Sequence, residues 1–191
     1  MDLGRLGARL LIGGLFVGHG LQKLNGSFGG PGIEGTEQMM TALGMHPARR
    51  NAYAAGVTET AGGALIALGA ATPLAAASLI GVMTTAIRKV HLPNGPWAAN
   101  GGWEYNAVLI GALAALVETG PGRVSIDNLL GRAPGGSRGA LGAVALGVGA
   151  SYATIALASR ADAQQDAVAS SDGEVADATG DVAGDPVTSE S

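Results

Sequence analysis

Arg9-Leu10-Leu11-Ile12-Gly13-Gly14-Leu15-Phe16-Val17-Gly18-His19-Gly20-Leu21-Gln22-Lys23-Leu24 is an apolar run closed by a polar signature. The apolar part is too continuous for a soluble amphipathic helix, in which polar residues line a full face. At about 1.5 Å per residue, a helix from Leu3 to Leu24 crosses a hydrocarbon core of roughly 30 Å. His19 and Lys23 are four apart, so both lie on one face near one membrane surface. Arg9 lies toward the other surface, where its stem is expected to snorkel to the headgroups. Gly14 to Gly18 forms a G-x-x-x-G, which either admits a neighbouring backbone or arises by chance in a glycine-rich helix.

Composition supports a bilayer setting for the rest of the chain. Its 191 residues are 47% apolar, 14% charged and 4% aromatic, with 33 glycines. A soluble core of this size would use more aromatic and charged residues, whereas Gly- and Ala-rich runs suit helices packed closely in lipid. The absence of Cys excludes a disulfide framework, a thiolate-ligated metal and a thiol relay within the chain. Arg5, Arg9 and the apolar run imitate a secretory signal, but no small-residue cleavage site follows, so the segment is expected to be retained. Eight of the fifteen acidic residues follow Arg160, so the part before residue 161 is net positive. No basic patch is interleaved with aromatics, and nucleic-acid binding is not expected.

Outward from the first helix, Asn25 to His46 is a connection holding a short amphipathic helix, Glu34 to Leu43, expected on the membrane surface. A second helix runs from Arg49 to Ala71. Glu59 is isolated within it, and a lone carboxylate at that depth should face a partner or water. Thr72-Pro73 reads as an N-cap with Pro at the first helical position, opening a third helix to His91. A loop from Leu92 to Gly102 precedes a fourth helix, Trp103 to Glu118. Trp97, Trp103 and Tyr105 cluster there as interfacial aromatics do. Ser125 caps a short helix. After a Pro/Gly linker, Gly139 to Ala158 is long enough to span, with Gly139, Ala143, Gly147 and Ser151 forming a small-residue stripe. From Asp162 the chain is acidic and lacks aromatics, a disordered composition. The fold expected is all-α: a transmembrane four-helix bundle over residues 1–132, a linker and fifth transmembrane helix over 133–160, and a disordered acidic tail over 161–191.

Short links make successive helices antiparallel. The end of helix one, the start of two, the end of three and the start of four then share one membrane surface. That brings six candidate site residues together: His19, Lys23, Glu59, Arg88, His91 and Glu104. A quinone carbonyl needs a cationic or imidazole donor as it gains negative charge, and Lys23, His19 and Arg88 are of that type. The alternative is structural, with Glu59 or Glu104 pairing with Lys23 or Arg88 to lock the bundle. Three histidines over 72 positions, without H-x-x-H or E-x-x-H, do not suggest a metal.

The combination of Arg9-Leu10 through His19-Gly20-Leu21-Gln22-Lys23-Leu24, Glu59-Thr60-Ala61-Gly62-Gly63, Gly102-Trp103-Glu104-Tyr105-Asn106 and Gly120-Pro121-Gly122-Arg123-Val124-Ser125-Ile126-Asp127 resembles the DoxX family of small four-helix membrane proteins. The resemblance covers roughly residues 5 to 132. The family often has an aromatic pair after a Gly in the loop before helix four; here that place reads Asn94-Gly95-Pro96-Trp97. The resemblance implies an accessory or quinone-interacting subunit of a membrane oxidoreductase in redox or sulfur metabolism, such as thiosulfate:quinone oxidoreduction. It implies the lipid bilayer and oxidoreductase subunits as partners, and it supports an accessory role more than catalysis by the isolated chain, without deciding between them. With no Cys, the electron carrier must be a quinone, a bound cofactor or a partner protein. A small-solute carrier and a non-catalytic scaffold are the alternatives; no inverted repeat or pair of broken helices supports the former. The expected setting is the plasma membrane, multi-pass. Counting of Lys and Arg near the helix ends, with Arg88 and Lys89 set aside, favours a cytoplasmic N-terminus and an outside tail.

Overall fold

Glycine sets the closest helix crossing in the computed structural model, which describes residues 2–132 and 135–180, with side chains as far as Gln164. Helix α1 (Leu3–Asn25) lies against α3 (Ala48–Leu68), with the shorter α2 (Gly32–Ala42) packed on both. A Cβ built on Gly13 would stand 2.5 Å from the Gly63 carbonyl oxygen, and one on Gly63 would stand 2.6 Å from that of Gly13. Two backbones meet there with no room for a side chain. The G-x-x-x-G of Gly14 and Gly18 is not this contact, because a Cβ at either position meets nothing within 4 Å. The packing register is one residue earlier, on the face that also buries Ile12, Phe16 and Gly20.

Helix α4 (Thr72–Ala86) follows α3 after a three-residue link and packs against it. The rod continues through a π-helical turn, Ile87–His91, and a 3-10 turn, Leu92–Asn94. Then come α5 (Glu104–Thr119), the single-turn α6 (Ile126–Leu129) and α7 (Ser137–Gly180). Helix α7 packs on α4 and α5. Its small-residue stripe makes that contact: a Cβ on Gly147 would meet the Ala77 carbonyl oxygen at 2.6 Å, Ala143 and Ser151 are buried, and Thr85 Oγ1 donates to Ser151 Oγ at 2.9 Å. Phe16, Ile66, Leu79, Ile80, Leu113 and Val117 fill the core between these helices. No strand occurs among the described residues.

The outer surface is apolar. Leu10, Leu11, Leu74, Val108 and Leu141 are each more than half exposed, an arrangement stable where lipid tails, not water, cover the side chains. Among the described residues, one helical stretch, Ser137–Gln164, is long and apolar enough to cross a membrane on its own composition. Sequence reasoning expected five such segments. α4 and α5 are 15 and 16 residues, and α1 and α3 carry Arg9, Lys23 and Glu59 on inward faces. In a helix cluster, polar and glycine faces turn toward neighbours, so single-helix hydropathy falls although the outer face stays apolar.

Two expectations are corrected at the end of the molecule away from His19. Arg9 does not snorkel to headgroups. It is 1% exposed and donates to the carbonyls of Pro121 and, at 2.6 Å, Val124, because the segment after α5 folds back and offers acceptors closer than any headgroup. Nor does Thr72 cap its own helix. Ala71 holds the cap position, and the acceptor is Asp127 on α6, which takes the Ala71 N–H at 2.8 Å, the Thr72 N–H at 3.0 Å and the Thr72 hydroxyl at 2.9 Å. A carboxylate at a helix N-terminus satisfies orphan donors and meets the positive end of the helix dipole.

Burial alone would raise the Asp127 pKa, but these hydrogen bonds together with Arg132 outweigh it, and the carboxyl sits below its usual range. Its contribution is therefore fully present above the unfolded value of about 3.9 and is lost as pH falls through the lower folded value. Asp127→Asn should cost about 1–3 kcal/mol at neutral pH by leaving buried donors unpaired. Thermal melts in detergent should show that gap closing below pH ~4; a gap independent of pH would remove the charge from the explanation.

A third expectation concerns the tail. Disorder was expected from Asp162, yet α7 continues in helical conformation to Gly180. A helix already nucleated adds residues at little cost, and the stretch beyond Arg160 begins Ala161-Asp162-Ala163-Gln164, with two strong helix formers at alternate places. Asp162 lies 3.6 Å from His46, at the turn between α2 and α3. Residues 181–191 lie outside the described part.

Candidate functional site

A cavity of about 770 Å³ opens between the helices at the end where α1 stops. Its size falls within the range of small-molecule sites, and its lining is mainly apolar. Five helices and one irregular turn contribute polar groups, α4 among them with Ser78 and Thr85. From α1 come His19 and Lys23, from α3 Glu59, from the turn after α4 Lys89 and His91, and from α5 Tyr105 and Asn106, while α7 closes a wall with Ser151 and Thr154. Met39, Met40, Met45 and Met83 also line it. Unbranched thioether side chains let such a wall adapt to an occupant.

Glu59 is 2% exposed and Lys23 21%. Lys23 Nζ donates to Glu59 Oε2 at 2.6 Å, which answers the cost of burying that carboxylate. No hydrogen bond engages its other oxygen among the described residues. His19 Nδ1 is 3.1 Å from Gln22 Oε1, and the ring meets Tyr105 edge-on, with centroids 6.4 Å apart and planes at 67°. His91 Nδ1 donates to the Gly101 carbonyl at 2.7 Å, fixing the ring against the loop before α5.

The six sequence-derived residues divide four to two. His19, Lys23, Glu59 and His91 line the cavity. Arg88 does not; its guanidinium stacks on the Tyr152 ring of α7, 3.7 Å from the centroid. Glu104 does not line it either. It accepts the Ala98 N–H at 2.8 Å and so fastens the loop before α5. Both belong to the same end of the molecule, but each has turned to a different helix face. Antiparallel reasoning assigns residues to an end, not to a face.

Asn106 was missed. It is 6% exposed, and its amide donates to Met83 Sδ at 3.4 Å, a weak acceptor. Its one available signal was an amide opening the apolar run Ala107–Leu116. Lys23, His19, Tyr105 and Asn106 can donate to an occupant, and Glu59 can accept. Such a set, in a low-dielectric apolar chamber, suits a flat apolar molecule with carbonyl or hydroxyl groups. Among the described residues no group of three His, Cys, Asp or Glu side chains could hold a metal ion.

The DoxX family model matches residues 4–92. That span begins in α1 and ends with the irregular turns after α4, so it includes the cavity's Lys23, Glu59 and Lys89 together with His19 and His91. It stops short of the 5–132 suggested by the sequence motifs, leaving α5 to α7 outside. Comparison with curated proteins and with solved structures returns no match.

Proposed function

We propose that this chain, which carries a DoxX domain over residues 4–92, is a multi-pass membrane protein that holds a quinone in the cavity beside Lys23 and Glu59 and serves as an accessory subunit of a membrane oxidoreductase. One observation carries the reading: a mostly apolar chamber of about 770 Å³ with a buried Lys23–Glu59 pair in its wall. A bound quinone would supply redox chemistry. The chain's part is to exclude water with the methionine and α4 walls, and to direct N–H donors from Lys23, His19 and Asn106 at oxygens whose negative charge grows on reduction. Glu59 keeps the Lys23 ammonium in place. We place the division of labour as a bundle over 1–132, with the linker and fifth helix over 133–160 as an added wall, and the N-terminus in the cytoplasm with the acidic tail outside.

Extraction in lipid nanodiscs followed by mass spectrometry of bound small molecules tests the reading. A quinone at about one per chain, depleted in Glu59→Gln, is the expected result. Protein without quinone but with a bound polar solute would favour a carrier, and empty protein with stoichiometric partner subunits would favour a scaffold; either overturns the assignment.

A further inference from the structure

The cavity leaves Arg88 unexplained. Arg9 donates to two carbonyls, and Arg49 pairs with Glu37 at 2.9 Å. No hydrogen bond or ion pair engages the Arg88 guanidinium among the described residues. Its Nη1 is shielded and without a partner, and so is Thr84 Oγ1, one turn earlier on the same helix. Its single strong neighbour is the Tyr152 ring at 3.7 Å. Tyr152 is 58% exposed and stands eleven residues, about three turns, from Leu141, which is 69% exposed. The pair therefore opens onto the lipid-facing flank between α4 and α7.

An arginine keeps its charge in proteins, and an unpaired cation in the membrane is expensive. The oxygen-rich group available at that flank and depth is a lipid phosphate. Its geometry matches the guanidinium fork, and the Tyr152 face adds a cation–π contact. Among the described residues no carboxylate pairs with Arg88, so its positive charge is left to favour an anionic over a zwitterionic headgroup. We propose that Arg88 and Tyr152 hold the phosphate of an anionic membrane lipid in the crevice between α4 and α7. The site rests on the membrane reading and not on what fills the cavity.

The test uses full-length protein in phosphatidylcholine nanodiscs doped with phosphatidylglycerol, with retained lipid read by native mass spectrometry. Wild type should retain the anionic lipid selectively. Arg88→Gln should weaken retention about tenfold, and Tyr152→Leu about threefold, as expected for a charge-assisted and a cation–π contact. Arg88→Lys, with charge but no fork, should fall between wild type and Arg88→Gln. Tyr152→Leu keeps the outer face apolar and decides the matter if Arg88→Gln does not fold. Equal retention by wild type and these variants overturns the site, as does displacement of the lipid by millimolar inorganic phosphate. Protein released from membranes by alkaline carbonate without detergent would instead overturn the membrane reading.

Discussion

Lys23→Met should destabilise the detergent-solubilised protein by about 3–5 kcal/mol, the range for removing one partner of a buried ion pair. Glu59 is 2% exposed, and without the ammonium its carboxylate has no opposite charge in an apolar wall. Glu59→Gln should cost less, since the amide keeps the shape and leaves Lys23 nearer to water. The double variant should recover part of the Lys23→Met loss, with a coupling of about 1–3 kcal/mol between neighbours that share one interaction. Thermal melts of all four proteins give the cycle. Strict additivity would mean that the 2.6 Å contact has no energetic counterpart.

Gly13→Leu should be as damaging and for a different reason. A Cβ at Gly13 already stands 2.5 Å from the Gly63 carbonyl oxygen, so the three further carbons of leucine must push α1 off α3. Overpacking a tight contact costs about 1–3 kcal/mol and sometimes more, and here the obstacle is backbone, which cannot rotate away. Gly14→Leu, one residue on, has open space and should leave stability unchanged or raise it by up to about 1 kcal/mol, glycine being the poorer helix former. Limited proteolysis in detergent should cut Gly13→Leu at the α1–α2 connection and spare Gly14→Leu. The reverse pattern would return the packing role to the Gly14–Gly18 motif.

These positions show what could be read from the chain. Helix ends were legible because Gly69, Pro73 and Gly120 punctuate apolar runs of helical length. The end at which polar groups gather was legible from loop length, and Glu59 stood out because a carboxylate amid apolar residues requires a reason. Faces were less legible. Arg88 and Lys89 are adjacent, and neighbours along a helix point about 100° apart, so Lys89 lines the cavity while Arg88 stacks on Tyr152. Arg9 and Asp127 were out of reach for another reason. Each is satisfied by backbone groups more than fifty residues away, and the chain's local pattern carries no trace of a carbonyl that returns from another segment. Asn106 hid because an amide within hydrogen-bonding reach of a solvent-facing loop looks ordinary until its surroundings are apolar.

A photoreactive azidoquinone, irradiated with the protein in lipid nanodiscs and mapped by peptide mass spectrometry, tests the cavity most directly. Labelling confined to His19–Lys23, Ala54–Glu59 and Tyr105–Leu109, competed by unlabelled quinone and lost in Glu59→Gln, is the predicted result. Labelling spread along Leu10, Leu11, Leu74 and Val108, the lipid-covered face, and insensitive to competition would contradict a quinone site within the helices.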